Sequence, residues 1–125
     1  MSICTHKDMD VWQKSMDLVS SIYLITKTFP KDETYTLTNQ MRRAAISVPS
    51  NIAEGRAKRT TRDFMRFINI ASGSIAELET QLIIGERLGY MSQEQSQSLL
   101  EIVDHVGRML NKLHASLERK LISNP

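Results

Sequence analysis

The side chains able to do chemistry are few in this chain, and their spacing decides most of the question. The histidines are His6, His105 and His114. A di-iron helical bundle needs Glu-x-x-His pairs on two helices. The residues three before His105 and His114 are Ile102 and Asn111, so that signature is absent. Glu101 and His105 share a helix face at four-residue spacing, which reads as surface coincidence rather than a metal site. Cys4 has no oriented base beside it. Gly55-Arg-Ala-Lys58 lacks the second glycine of a phosphate-binding loop, and Ser72 and Ser74 have no histidine partner. The expectation is a protein that is not an enzyme, with no metal and no cofactor.

Binding chemistry is better supplied. Between Arg42 and Arg66 stand seven basic residues (Arg42, Arg43, Arg56, Lys58, Arg59, Arg62, Arg66) against Glu54 and Asp63, a local charge of +5. Net charge is only +2, so the remainder carries −3. Arginine and lysine neutralise phosphate and release its counterions. Arg59, Arg62 and Arg66 are spaced to lie along one side of a helix, and the amides opening that helix favour anions. The competing reading is a solvated surface with internal ion pairs to Glu54 or Asp63. With neither a recognition-helix motif nor an exposed aromatic platform, binding to RNA or DNA would be weakly sequence-specific.

The elements that must position these residues are all helical. Helix 1 spans about 10–29, with Asp10 and Gln13 at capping-box spacing. Val11, Leu18, Ile22, Ile25 and Phe29 form one apolar row; Trp12, Met16, Val19 and Tyr23 form a second. Pro30 ends it. Helix 2 spans about 33–57, with Leu37, Met41, Ala44, Val48, Ile52 and Gly55 inward. Pro49 lies inside and removes the bond to the Ala45 carbonyl. A break there is the alternative, but the apolar row keeps its phase, so a continuous kinked helix is favoured. Ser47, Ser50 and Asn51 are available to the freed backbone groups, and Gly55 reads as the terminator.

Helix 3 spans about 61–88, capped by Thr60 with Asp63, with a heptad seam of Phe64, Ile68, Ala71, Ile75, Leu78 and Leu82. Gly89 is a left-handed stop with Tyr90 packing back. Helix 4 spans about 93–120 after a Ser92–Gln95 box, with Leu99, Ile102, Val106, Met109, Leu113 and Leu117 inward, and Ile122–Pro125 frayed. No strand alternation competes. Short connections predict one all-α domain over residues 1–125, an antiparallel up-down-up-down four-helix bundle. A hydrophobic fraction of 41% with 24% charged residues suits such a core and argues against disorder. No apolar run reaches the roughly 20 residues of a membrane span. The N-terminus lacks a signal-peptide core, and a single cysteine suits a reducing compartment; the expected location is cytoplasmic.

This topology gathers Lys7, Lys14, Arg56, Lys58, Arg59, Arg62, Arg66, Lys112, Arg119 and Lys120 at one end. Asp8, Asp10, Glu54, Asp63 and Glu118 oppose them. Lys27, Lys31 and Arg87 stand at the other end against Asp32, Glu33, Glu79, Glu86, Glu94, Glu101 and Asp104. The bundle is electrically polar along its axis. The candidate nucleic-acid contacts are Arg56, Lys58, Arg59, Arg62, Arg66, Lys112, Arg119 and Lys120.

The segments Asp10-Val-Trp12, Phe29-Pro30, Tyr35-x-Leu37-Thr-x-Gln40-x-Arg42-Arg43-Ala44-Ala45 and Ser47-x-Pro49-Ser50-Asn51-Ile52-Ala53-Glu54-Gly55 resemble a bacterial family. Ala76–Leu82 and Leu88-Gly89-Tyr90 complete the pattern. It is the four helix bundle protein family, whose members include proteins encoded by intervening sequences in 23S rRNA genes. A relative is the accessory variability determinant of diversity-generating retroelements, which works beside a reverse transcriptase. The resemblance implies a bundle assembled into a homopentameric ring. A ring whose bundle axes lie near the symmetry axis would add weak phosphate contacts by avidity. Arg42, Arg43, Ser47, Pro49, Ser50, Asn51, Glu54 and Gly55 are read as a structural or subunit-contact motif, in preference to a ligand site. Glu54 is expected to pair with Arg42, Arg43 or a neighbouring subunit. The alternative to nucleic-acid association is a scaffold that docks a partner protein, supported by the broad apolar surface of helix 1.

Overall fold

The computed structural model describes residues 5–123 and contains α1 (Asp10–Thr26), α2 (Leu37–Arg56), α3 (Thr61–Arg87) and α4 (Gln93–Ser123), with no strand among the described residues. Each helix packs against two neighbours, in the cyclic order α1, α2, α3, α4. Neighbours run antiparallel: the Arg42 guanidinium lies over Tyr23 of α1, Ser47 meets Ser74, and Ile75 lies beside Gly107. Leu18, Ile22, Met41, Val48, Ile52, Ile68, Leu78, Leu82, Val103, Val106 and Leu110 are fully buried at the centre. Burying each such side chain is worth about 1.5–3 kcal/mol, which is why the apolar rows and not helix propensity set the arrangement.

The ends of the helices differ from expectation where a side chain found a better partner. Asp10 is the first residue of α1, and its N-cap Met9 makes no side-chain bond. The capping box sits one element earlier, where Thr5 and Asp8 bracket a 3-10 turn over His6–Asp8. Gln13 instead donates Nε2 to the Lys7 carbonyl at 2.8 Å. α1 stops at Thr26, yet Phe29 beyond it remains buried against Tyr90, with ring centroids 5.4 Å apart. α2 starts at Leu37 rather than near Glu33, because the Glu33 carboxylate is engaged by the Thr36 and Tyr90 hydroxyls, the latter at 2.7 Å. The Tyr90 bond ties the loop before α2 to the loop after α3.

α2 is continuous through Pro49, as the unbroken apolar phase requires. Gly55 does not end it; the helix runs to Arg56 and caps on Ala57. Gly89 does act as the stop for α3, at φ +78, with its own amide bonded to Glu86 and that of Tyr90 to Gly85, both at 3.0 Å. Ser92 and Gln95 bond reciprocally at 2.9 and 3.1 Å before α4. α4 extends through Ser123, so Ile122 and Ser123 are helical; residues 124–125 and Cys4 lie outside the described residues.

Two apolar seams also shift. In α4 the buried row is Leu99, Val103, Val106, Leu110 and Leu117, whereas Ile102, Met109 and Leu113 are only half-buried beside α1. Both rows are apolar at heptad spacing, so spacing alone does not say which is central. α3 buries the expected seam from Ile68 to Leu82, with Phe64 half-buried, and adds a second row of Phe67, Ser74, Gln81 and Gly85. Serine, glutamine and glycine hide that row from a hydrophobicity pattern.

Candidate nucleic-acid interface

The α2–α3 connection is short because two helices approach closely there. A Cβ added to Gly55 would lie 2.8 Å from Phe67 Cβ and 3.2 Å from the Phe64 carbonyl oxygen. Glycine is therefore required by close approach rather than by backbone angle. Thr60 Oγ1 accepts from the Asp63 amide at 3.1 Å and opens α3. The turn between them carries Lys58 and Arg59 into solvent, and Arg62 and Arg66 follow on the first two turns of α3.

Phe67 organises part of this cluster. Lys58 Nζ lies 5.2 Å and the Arg66 guanidinium 4.8 Å from its ring centroid. Both charged heads stand over the aromatic face, on side chains that remain exposed to water. Arg66 and Asp63 approach only to 4.0 Å, with both side chains well exposed, so this pair neutralises little. Among the described residues the other ion pair is Asp104–Arg108 at 2.8 Å, far along α4. Glu54 is exposed and joins neither Arg42 nor Arg43 in an ion pair among the described residues.

The remaining cations divide among separate places. Arg56 shares a cavity of 370 Å³ with Thr5, His6, Lys7 and Ala57. Lys112 lies in a cavity of 690 Å³ between α1 and α4, where Asp10 and Asp17 also line the wall. Lys14 lines it too, so two carboxylates balance two lysines there and Lys112 is a weaker candidate than its charge suggests. Arg119 and Lys120 are exposed on the last turns of α4. Among the described residues, no hydrogen bond, ion pair or ring contact links them to the α2–α3 turn. An exposed aromatic does exist, contrary to the sequence reading: Tyr35 is 89% exposed. It precedes α2, at the opposite end from Arg56, and serves no stacking role in the basic cluster.

The adjoining motif is built inward. Asn51 Nδ2 donates to the Ser47 carbonyl at 2.8 Å and to Ser47 Oγ at 2.9 Å. Ser74 Oγ donates to the same Ser47 oxygen at 2.8 Å, joining α3 to α2. These bonds lie one turn from Pro49 and close on Ser47 rather than on the Ala45 carbonyl; Ser50 is exposed. Arg42 donates Nε to Thr26 Oγ1 at 2.9 Å and sits 4.5 Å from the Tyr23 centroid, fastening α2 to α1. Arg43 is exposed beside Tyr35, Gln40 and Glu77 at the α2–α3 groove. No group of three or more metal-ligating side chains forms among the described residues, and no described helix is long and apolar enough to cross a membrane.

Comparison with known proteins agrees with this architecture. A crystal structure of a protein of unknown function from the S23 ribosomal protein family of Bacteroides thetaiotaomicron superposes with a TM-score of 0.78. It shares 24% identity and covers 83% of this chain and 97% of its own. At that identity the likeness speaks for the fold alone. No curated protein sequence matches. The family model for the 23S rRNA-intervening sequence protein matches residues 7–112, which include all of α1, α2 and α3, and on that match the chain belongs to this family.

Proposed function

We propose that this protein is a non-enzymatic, homo-oligomeric scaffold of the cytoplasm that binds nucleic-acid backbone through the basic end of its bundle. One observation carries the reading. Lys58, Arg59, Arg62 and Arg66 crowd the short α2–α3 turn, and the only carboxylate pairing with them among the described residues is Asp63 at 4.0 Å. Their charge is therefore available to phosphate. Phe67 lies beneath Lys58 and Arg66, so the surface offers cations without an open ring for base stacking. Interactions of this kind read phosphate and not sequence. The family's name makes RNA the first probe to try.

A ring of protomers, a pentamer on the family resemblance, would repeat the cluster around one face and add its phosphate interactions by avidity. Binding to RNA and to DNA measured across a salt series tests the reading. Log affinity should fall linearly with log salt, and the triple substitution Arg59→Glu, Arg62→Glu, Arg66→Glu should abolish it. Binding that ignores salt, or survives charge reversal, would rule it out. Light scattering measures the oligomer directly.

A second reading, a scaffold that docks a partner protein, draws on the groove between α1 and α4. Leu24 is 69% exposed there and adjoins Ile25, Leu99 and Ile102 in a cavity of 540 Å³. Docking through this apolar surface would survive charge reversal at the opposite end.

A further inference from the structure

The outer face shared by α2 and α3 carries apolar side chains that nothing in the protomer covers. On α3, Ile70, Glu77 and Ile84 follow one another at seven-residue spacing, with Gly73 between the first two, and all four are exposed. On α2, Asn39, Arg43, Ile46 and Ser50 repeat at steps of four, three and four and are likewise exposed. Ile46, Ile70 and Ile84 are 42%, 44% and 41% exposed. Isoleucines scattered singly over a surface are ordinary. Rows at helix-pairing spacing fit a face that another helix covers.

The two rows stand side by side. Asn39, Arg43 and Glu77 line one cavity of 410 Å³ in the groove between α2 and α3. The hydrogen bond from Ser74 to Ser47 fixes the antiparallel register of the two helices. Counting a turn either way from it puts Arg43 level with Glu77, Ile46 with Gly73 and Ser50 with Ile70. A Cβ on Gly73 would meet nothing within 4 Å, so a side chain from outside can approach α3 closely there. Arg43 and Glu77 share a cavity wall, yet among the described residues neither forms an ion pair or a hydrogen bond. Whatever covers this face must offer both signs of charge at one level, flanked by apolar side chains. A second copy of this chain does so.

We infer that the outer row of α2 in one protomer packs on the outer row of α3 in the next, building a closed ring. The inference rests on the homo-oligomer part of the proposed function and names the contact that makes it. Rotation about an axis parallel to the bundle leaves every residue at its own level. Arg43 therefore meets Glu77 of the partner subunit, Ile46 lies over Gly73 of the partner subunit, and Ser50 adjoins Ile70 of the partner subunit. Each protomer gives its arginine to one neighbour and its glutamate to the other, so both charges are satisfied all the way round. α2 and α3 are neighbouring corners of the bundle, and their outward directions diverge. Successive copies consequently turn toward closure instead of extending as a straight filament.

Light scattering on the full-length protein over a concentration series tests the contact. A head-to-tail ring needs at least three copies, so the wild type should have that mass or more. Arg43→Glu and Glu77→Arg, separately, bring like charges together and should raise the concentration for half-assembly about tenfold or more. Both substitutions in one chain exchange the charges and should restore the wild-type value. Ile70→Glu places a charge among apolar side chains and should leave monomers. All three positions are exposed, so circular dichroism should show each variant folded. If Ile70→Glu does not fold, the charge exchange carries the test. Wild-type assembly in Ile70→Glu and in both single reversals overturns this contact and leaves a homo-oligomer built on another face. Single reversals that weaken assembly without rescue by the exchange overturn the pairing of Arg43 with Glu77, and with it the register. A mass of two protomers overturns the ring. A wild type that stays monomeric overturns this contact and the homo-oligomer reading together, while the salt series on nucleic acid still judges phosphate binding.

Discussion

Two adjacent stretches of the chain, Ser47–Gly55 and Arg56–Arg66, use polar and charged residues in opposite ways. In the first, the polar groups close on one another: Asn51, Ser47 and Ser74 form a chain of bonds across the α2–α3 interface, and Gly55 admits Phe67. In the second, Lys58, Arg59, Arg62 and Arg66 are exposed, and Lys58 and Arg66 rest over the face of Phe67. A polar side chain that spends its bonding capacity inside the bundle has little left for a ligand. One that rests on a hydrophobic support keeps its charge for something else. The contrast favours reading the motif as architecture and underlies the proposal that the basic turn binds a ligand.

The largest effect should come from breaking the close approach. Gly55→Val places carbon where Phe67 Cβ already stands 2.8 Å from the built position, with helix backbone behind it. Overpacking of this kind costs about 1–3 kcal/mol or more, and urea denaturation should show it as a lowered midpoint. A Gly55→Val protein as stable as wild type would mean that the two helices are not held at this distance.

Next in size is the triple charge reversal at Arg59, Arg62 and Arg66. It should remove salt-sensitive nucleic-acid binding. On a duplex, the slope of log affinity against log salt should fall by about 0.9 for each phosphate that is no longer neutralised. Folding stability should move by only about 0.5–1 kcal/mol, chiefly because Arg66 no longer stacks on Phe67. A large drop in stability with intact binding would invert the comparison between the two stretches.

A smaller effect is expected from Ser47→Ala. It strips Ser74 of its acceptor, leaves Asn51 only the Ser47 carbonyl, and should cost about 1–2 kcal/mol in chemical denaturation, with RNA binding unchanged. Ser50→Ala, one turn round on the exposed side, should cost almost nothing.

The smallest effect concerns pH and lies at the other end of the bundle. Hydrogen bonds from the Thr36 and Tyr90 hydroxyls hold the Glu33 carboxyl below its ordinary value. The bond to Glu33 pushes the Tyr90 phenol above its own. A lowered carboxyl contributes stability above its unfolded pKa, and loses it as pH falls through the folded one. A raised phenol contributes below its unfolded pKa, and loses it as pH rises through the folded one. The pair should therefore stabilise from above the carboxylate range to about pH 10. Tyr90→Phe should remove the alkaline edge and reduce the acid one, which Thr36 still holds in part, in a thermal-melt series against pH; an unchanged profile would show the Glu33–Tyr90 bond to be energetically silent.

Much of this was legible in the chain. The continuous helix through Pro49, the stop at Gly89 and the Ser92–Gln95 box follow from local rules, and the structure contains each. The misreadings have one physical origin. Asp10, Glu33 and Gly55 each satisfy a local rule for a helix end, but a nearby or tertiary partner determined what the residue does. Gln13 went to the Lys7 carbonyl, Glu33 went to Tyr90, and Gly55 went to Phe67. In α4 two rows of equal apolarity competed, and the position of α1 selected Val103 and Leu110 over Ile102 and Met109.

The amino-acid sequence by itself determined the helices, their order and the family, because periodicity, caps and a dense motif are local properties of neighbouring residues. It also determined that the chain is basic between Arg42 and Arg66. Only the tertiary structure decided which of those charges matter together. It turned Arg42 onto Tyr23 and Thr26, seated Lys58 and Arg66 on Phe67, and put Arg56 beside His6 and Lys7, some fifty residues earlier in the chain. Charge is a property of composition. Whether it is available to a ligand depends on what packs against it, and that is settled by interactions between residues far apart in sequence.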